Sequence, residues 1–299
     1  MSNERGRVFR HYLVMAIVTL FVFAANAAQA AETTNRLAQN RLAQNRLAQN
    51  RLAQNRLAQN ALSSTSLEAN QATAELLATA DGRDVYSYII SCALPDSLTI
   101  EADVPGAADT APPDTLYTCT SGHCIFTGSL GLAEYWIDHK LATKEQRWIS
   151  ACLLARVNNY DTTEAISMRG PHDSLTVSID EAEIYNVAEG AFYGNVFNGP
   201  DVPIDWNACQ GQGQASGEFG GLVLRDCTEE DPLNPGYTLC GFKYAGYCAV
   251  YNPDFPTPYA CKSFDGVQGT YEDCYTEAGD GKWPSLKTYR EVITVYVTF

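Results

Sequence analysis

The spacing of apolar positions is the clearest order in the chain. In DVYSYIISCALP, Val85, Tyr88, Ile89 and Cys92 recur at intervals of three and four. That places them on one face of a helix running from Asp84 to just before Pro95, with Cys92 turned to the core. In GLAEYWIDHKLATKEQRWISACLLARVNNYD, Leu132, Tyr135, Trp136 and His139 share a face of one helix. Thr143 with Gln146 then reads as the capping box of a second, whose Trp148, Ile149, Cys152 and Ala155 point inward until Asn158 and Asn159 end it. LYTCTSGHCIFTG alternates as a hairpin turning at Ser121 and Gly122, which sets Cys119 opposite Cys124 across a four-residue loop.

Alternation takes over further along. TEAISMR (163–169) and SLTVSID (174–180) read as strands around a Gly170-Pro171-His172-Asp173 turn, and EAEIYNVAEGAFYGNVF as a short helix broken at Gly190 and Gly194. CQGQGQASGEFGGLVLRDC is a glycine loop before a strand at 222–226. A phosphate loop needs the order strand, glycines, helix, so these glycines do not make one. EVITVYVTF closes the chain as a strand. The whole predicts an α+β fold, one disulfide-rich domain with helices in its N-terminal half and mostly antiparallel strands and loops in its C-terminal half.

Ahead of that domain, residues 35–60 hold five identical NRLAQ copies and one further Asn. A five-residue period carries each Leu about 140° round a helix from the last, so no lasting apolar face forms. A pentapeptide β-helix would place the Leu inward, but Asn35, Asn40, Asn45, Asn50 and Asn55 stand where a small residue is normal. Five copies also make too few coils to bury a core. The favoured reading is a flexible or partly helical spacer. The predicted divisions are 1–30, a signal peptide; 31–80, a low-complexity linker; and 81–299, the domain.

The signal peptide follows from Arg5, Arg7 and Arg10, an apolar run over about residues 12–25, and Ala28-Gln29-Ala30 before the expected cut. The run is short for a bilayer span, which takes about 20 apolar residues, so no transmembrane anchor is expected. Export suits ten cysteines, an even count that reads as disulfides. Local geometry suggests Cys92 with Cys152, Cys119 with Cys124, Cys209 with Cys227, Cys240 with Cys248, and Cys261 with Cys274. Charge divides unevenly: the repeat carries five Arg and no acid, while residues beyond 60 carry 12 Lys plus Arg against 33 Asp plus Glu. The arginines keep a Leu-containing linker soluble, or hold the arm to anionic envelope groups that repel the acidic domain. Nucleic acid is not an expected partner.

Candidate chemistry is sparse. Cys119, His123 and Cys124 could ligate a metal, but in an exported chain they read more simply as a disulfide and a turn histidine, and no metal or cofactor is expected. His139 reads as a core histidine, and Glu134 and Asp138 as a solvated face beside Lys140 and Lys144. The adjacent His172, Asp173 and Ser174 cannot adopt triad geometry in a turn. Asp226, Glu229, Glu230 and Asp231 lack EF-hand spacing. Two features remain. Glu189, flanked by aromatics, is the first choice for the acid of a paired-carboxylate hydrolase of glycan or peptide. Tyr251, Phe255 and Tyr259 share a proline-rich loop, YNPDFPTPYAC, and rigid aromatic loops suit recognition of a surface, glycan or protein.

At GSLGLAEYWIDHKL, RWISACLLARVN, EGAFYGNVF, LCGFKYAGYC and EVITVYV, over about residues 84–299, the chain resembles a group of uncharacterised exported or lipoprotein-like proteins of myxobacteria and their relatives. These often carry Asn/Leu/Ala pentapeptide tracts. The resemblance implies secreted or cell-envelope placement and an even-cysteine fold, and transfers no activity; the chain lacks the lipidated cysteine of the lipoprotein members. The function expected is a non-enzymatic envelope or extracellular module that binds an envelope surface, a glycan or another exported protein. The alternative is the hydrolase.

Overall fold

A computed structural model describes residues 32–34, 37–38, 57–62, 71–112, 115–158, 165–198, 205–211, 227, 230–232, 235–249, 259–279 and 287–298. Among the described residues the first strands and full helices are β1 (Glu32–Thr34), β2 (Leu37–Ala38), α1 (Gln71–Leu77) and α2 (Ala80–Ala93). Strands β3 (Thr99–Asp103), β4 (Tyr117–Thr120) and β5 (His123–Thr127) precede helix α3 (Thr143–Ala155). Then come β6 (Val157–Asn158), β7 (Ala165–Arg169), helix α4 (Ile179–Ile184), β8 (Val187–Gly194), β9 (Trp206–Gln210) and β10 (Lys243–Tyr247). The chain ends on β11 (Tyr259–Asp265), β12 (Thr270–Gly279), β13 (Thr288–Tyr289) and β14 (Ile293–Val297).

One nine-stranded sheet, ordered β1-β7-β14-β8-β9-β10-β11-β12-β13, organises the molecule. It is antiparallel except at β10, which runs parallel to both β9 and β11. The last strand, β14, lies between β7 and β8, and all five of its residues are buried. Helix α3 covers this part of the sheet. Its Ile149 and Leu153 share a core with Ile166, Met168, Phe192, Ile293 and Val295. Helix α2 packs on α3 and on β5 of a smaller sheet, β3-β5-β4, and Cys92–Cys152 joins the two helices with Cα atoms 6.1 Å apart. Arg156, the cap residue of α3, lies inside this contact, donating to Ser91 Oγ at 2.9 Å and stacking on Tyr88 at 4.5 Å. Burial lowers its pKa to about 10. A second cluster on the β9–β12 side of the sheet holds Tyr193, Ala245, Ala260, Tyr271 and Tyr289 around two disulfides.

The α+β, disulfide-rich expectation matches this architecture, and several local readings need correction. Helix α2 begins at Ala80, four residues before the predicted start, because Thr79 Oγ1 caps Gly82 N at 3.1 Å; it ends before Pro95 as expected. The hairpin turns on two residues, Ser121 and Gly122, both with positive φ, and not on a four-residue loop. Only a 3-10 turn, Glu134–Ile137, forms where a first helix was predicted, leaving Tyr135 76% exposed and His139 exposed while Leu132 and Trp136 are buried. At α3 the capping residue is Ala142, not Thr143, and its N–H donates to Glu145 Oε2 at 2.7 Å; Gln146 reaches Leu141 O instead of Thr143. The predicted strand 174–180 is a 3-10 turn followed by α4, because Ser178 Oγ accepts from Glu181 N and caps a helix there. The predicted helix break at Gly190 falls inside β8. The strand at 222–226, the signal-peptide residues 1–30 and most of the repeat lie outside the described residues.

All ten cysteines pair. Cys92–Cys152, Cys119–Cys124 and Cys261–Cys274 agree with the geometric expectation, whereas Cys209 joins Cys248 and Cys227 joins Cys240. The difference has one cause. Because β10 runs parallel to β9, the end of β10 that leads into Cys248 lies beside Gln210, next to Cys209; Cys227 and Cys240 are left to each other. The packed body also extends further towards the N-terminus than residue 81. Leu57 and Ala58, in the fifth NRLAQ copy, and Leu62 belong to the main core, and β1 pairs with β7.

Candidate binding surface

The parallel run β9-β10-β11 sets three side chains in one row. Tyr247 stands opposite Gln210 on β9 and opposite Tyr259 on β11. Tyr244 joins the row from the same strand, where its hydroxyl donates to Gln210 Oε1 at 2.8 Å and a register shift separates it from Tyr247. Tyr244 and Tyr247 are 36% and 37% exposed, among the few large apolar side chains of the described residues that reach solvent to this extent. Partial burial raises the Tyr244 phenol pKa, with the neighbouring Tyr247 adding to it.

Disulfides hold this row from behind. Gln210 follows Cys209, Tyr247 precedes Cys248, and Tyr259 stands two residues before Cys261. Cys248 N donates to Gln210 O at 2.9 Å and Cys261 N to Cys248 O at 2.6 Å. The bridges Cys209–Cys248 and Cys261–Cys274 touch, with Cys209 Sγ 3.6 Å from Cys261 Sγ. Cys209, Cys248 and Cys261 form the one group of potential metal ligands found among the described residues, and disulfide bonding accounts for all three sulfurs. A ring mounted beside a cross-linked, buried backbone loses little freedom when a ligand arrives.

Of the predicted binding residues, Tyr259 stands in the row, and Tyr251 and Phe255 lie outside the described residues. Sequence reasoning missed Tyr244, Tyr247 and Gln210. The three-residue step from Tyr244 to Tyr247 hides their common surface, because a strand read without its irregularity puts them on opposite faces.

Glu189 is 1% exposed. It occupies an extra position in β8: β14 pairs Val295 with Gly190 and Tyr296 with Ala188, stepping over Glu189 as a bulge. Near this end of the sheet, buried Arg169 stacks on Tyr296 at 3.6 Å, donates to Tyr185 O at 2.6 Å and feels the charge of buried Glu181. Burial lowers its pKa, opposed by Tyr296 and Glu181, which favour the charged form. A carboxyl with this exposure is not on offer to a polymeric substrate.

The remaining candidates have local roles. His172 Nδ1 accepts from Ser174 N at 3.2 Å and its ring meets Trp148 edge-on at 5.3 Å, so His172, Asp173 and Ser174 form a turn. Glu230 accepts from Gly236 N at 2.7 Å, Asp231 is buried, and Asp226 and Glu229 lie outside the described residues. Glu134 and Asp138 are exposed. His123 is exposed, next to the Cys119–Cys124 bridge, with Nδ1 2.8 Å from Asp103 Oδ1 and Nε2 3.7 Å from Glu101 Oε2.

The bond to Asp103 raises the His123 pKa above 6.5, whereas burial lowers that of His172 below 6.5. By linkage, the His123 contribution to stability is fully present below pH 6.5 and is lost as pH rises through its folded-state pKa. For His172 the sign reverses: stability is lost as pH falls below 6.5 towards its folded value. In an NMR titration the two imidazoles should therefore have midpoints on opposite sides of 6.5, and Asp103→Asn should lower the first without moving the second. Coincident midpoints would contradict this assignment.

No helix of the described residues is long and apolar enough to cross a membrane. Compared with protein families, curated proteins and solved structures, the chain finds no match.

Proposed function

We propose that this protein is an exported, non-enzymatic module of the cell envelope or extracellular space that binds glycan through the row Gln210, Tyr244, Tyr247 and Tyr259. The observation that carries the reading is that row, mounted on two touching disulfides. A tyrosine offers an apolar ring with a polar tip, and a primary amide offers donors and an acceptor; together they complement a sugar's C–H faces and hydroxyls. Five disulfides suit an oxidising compartment, and the basic start, apolar run and Ala-Gln-Ala of residues 1–30 supply a signal peptide to reach it. Burial of Glu189 favours binding over hydrolysis.

A glycan array extended to peptidoglycan fragments tests the proposal. Tyr247→Ala and Tyr244→Ala should each weaken capture about tenfold, the loss of one well-packed aromatic anchor. Tyr135→Ala, at an exposed tyrosine outside the row, should leave capture unchanged. Equal capture by all three variants would overturn the proposal. So would turnover of the captured glycan that Glu189→Gln abolishes.

A further inference from the structure

The repeat meets the globular body at its first copy, where β2 pairs with β6, and enters the core at its last. Leu57, Ala58 and Leu62 are buried, Gln59 and Asn60 between them are exposed, and Ala61 is half-exposed. The seat is built by the 3-10 turn and the residues after it. Trp136 O accepts from Leu62 N, Trp136 Nε1 donates to Asn60 O, and Leu141 N donates to Ala58 O, each at 2.9 Å. In the hexapeptide Leu-Ala-Gln-Asn-Ala-Leu the seat thus holds apolar side chains at positions one, two and six. Its hydrogen bonds go to backbone groups that every residue carries.

A five-residue repeat regenerates those positions. Residues 37–42, 42–47, 47–52 and 52–57 all read LAQNRL, differing from the seated hexapeptide only by an Arg in place of Ala61. Three of these frames lie clear of β2. At a half-exposed position an Arg can run its stem along the surface and keep its guanidinium in water. Sliding by one copy lengthens the connection from seat to α1 from residues 63–70 to 58–70, a loop-closure penalty of about twofold in population. A register change therefore re-forms the same contacts at small cost.

We propose that Trp136 and Leu141 form a recognition site for the Leu-Ala-Gln-Asn-X-Leu frame, and that the tract supplies it with interchangeable ligands from the same chain, docking in registers five residues apart. The occupant is the chain's own arm because a short tether holds its frames at a millimolar effective concentration, which a second copy does not reach at ordinary protein concentrations. Letter-for-letter identity of the copies then has a physical use: it makes the registers nearly equivalent and lets the length of chain between β2 and the seat change in five-residue steps.

The test introduces Leu62→Asp in the exported chain, alone and together with Leu42→Ser, Leu47→Ser and Leu52→Ser. Alone, it should lower Tm by no more than about 3 °C, because Leu57 moves into the place of Leu62 and Leu52 into that of Leu57; with the spare leucines removed the loss should reach about 10 °C. The three serine substitutions by themselves should leave Tm unchanged. By hydrogen exchange, the protected amide should move from residue 62 in the parent to residue 57 in Leu62→Asp. Equal losses in both backgrounds, no loss in either, a loss from the serine substitutions alone, or no newly protected amide at 57 would each overturn the proposal. Rescue that grows with protein concentration and yields dimers would assign the seat to a second copy and overturn the same-chain assignment.

Discussion

Replacing Cys92 and Cys152 together with alanine is expected to lower Tm by about 10 °C or more in a non-reducing thermal melt. The bridge spans a sequence separation of 60, and the chain-entropy relation values a loop of that length at about 4 kcal/mol. Cys119–Cys124 spans a separation of 5, for which the same relation gives about 2 kcal/mol. Its two strands are also joined by a tight turn whether or not the sulfurs are bonded. The double alanine variant at 119 and 124 should therefore lose about half as much. Equal losses would mean that loop length does not set what each bridge contributes, and no loss at 92 and 152 would mean that α2 and α3 are held together by their packing alone.

Trp136→Ala should cost about 3–5 kcal/mol in denaturant unfolding, the range for emptying the site of a large buried aromatic. Trp136 is fully buried, meets Phe197 edge-on at 6.1 Å, and bonds through its indole N–H to the carbonyl of Asn60. Trp136→Phe separates the two contributions. It keeps much of the apolar contact and loses only the N–H bond, worth about 1 kcal/mol, and Asn60 is exposed enough for water to replace that donor. The phenylalanine variant should therefore retain most of the stability. A loss as large as that of alanine would place the energy in the hydrogen bond and not in the buried ring.

Much of this core is legible in the sequence because apolar spacing identifies its elements. Trp148, Ile149, Cys152 and Ala155 are all buried in α3, within a run from Trp148 to Ala155 that is buried on every side, and EVITVYVTF holds β14, buried on both faces. Cys92 and Cys152 could be matched because each lies on an apolar helical face. Reading fails where a local rule competes with a distant partner. Leu132, Tyr135, Trp136 and His139 have helical spacing, yet the segment is a single 3-10 turn whose Trp136 carbonyl and indole are occupied by Leu62 and Asn60. The Cys209 pairing depends on β10 running parallel to β9, a choice of strand direction that no local pattern records. The tyrosine row has the same origin: Tyr244, Tyr247, Tyr259 and Gln210 come from three strands and become neighbours only through that topology. The repeat misleads differently, since a helical wheel tests for a continuous face whereas the seat takes one frame.

The order of the large sheet has a further consequence, for self-association. A margin of unpaired N–H and C=O groups can template another chain, and short edge strands reduce that hazard. Here one margin is β1, three residues long, and the strand at the other is β13, two residues long. Neither offers an incoming strand a long row of bonds. The protection is unequal in origin, however. β13 arises within the cross-linked body, whereas β1 comes from residues ahead of the repeat and lies over the five-residue β7. Detaching the N-terminal arm would turn a blunt margin into a longer one, the five residues of β7, so the segment before the tract serves the domain as the guard of its own sheet.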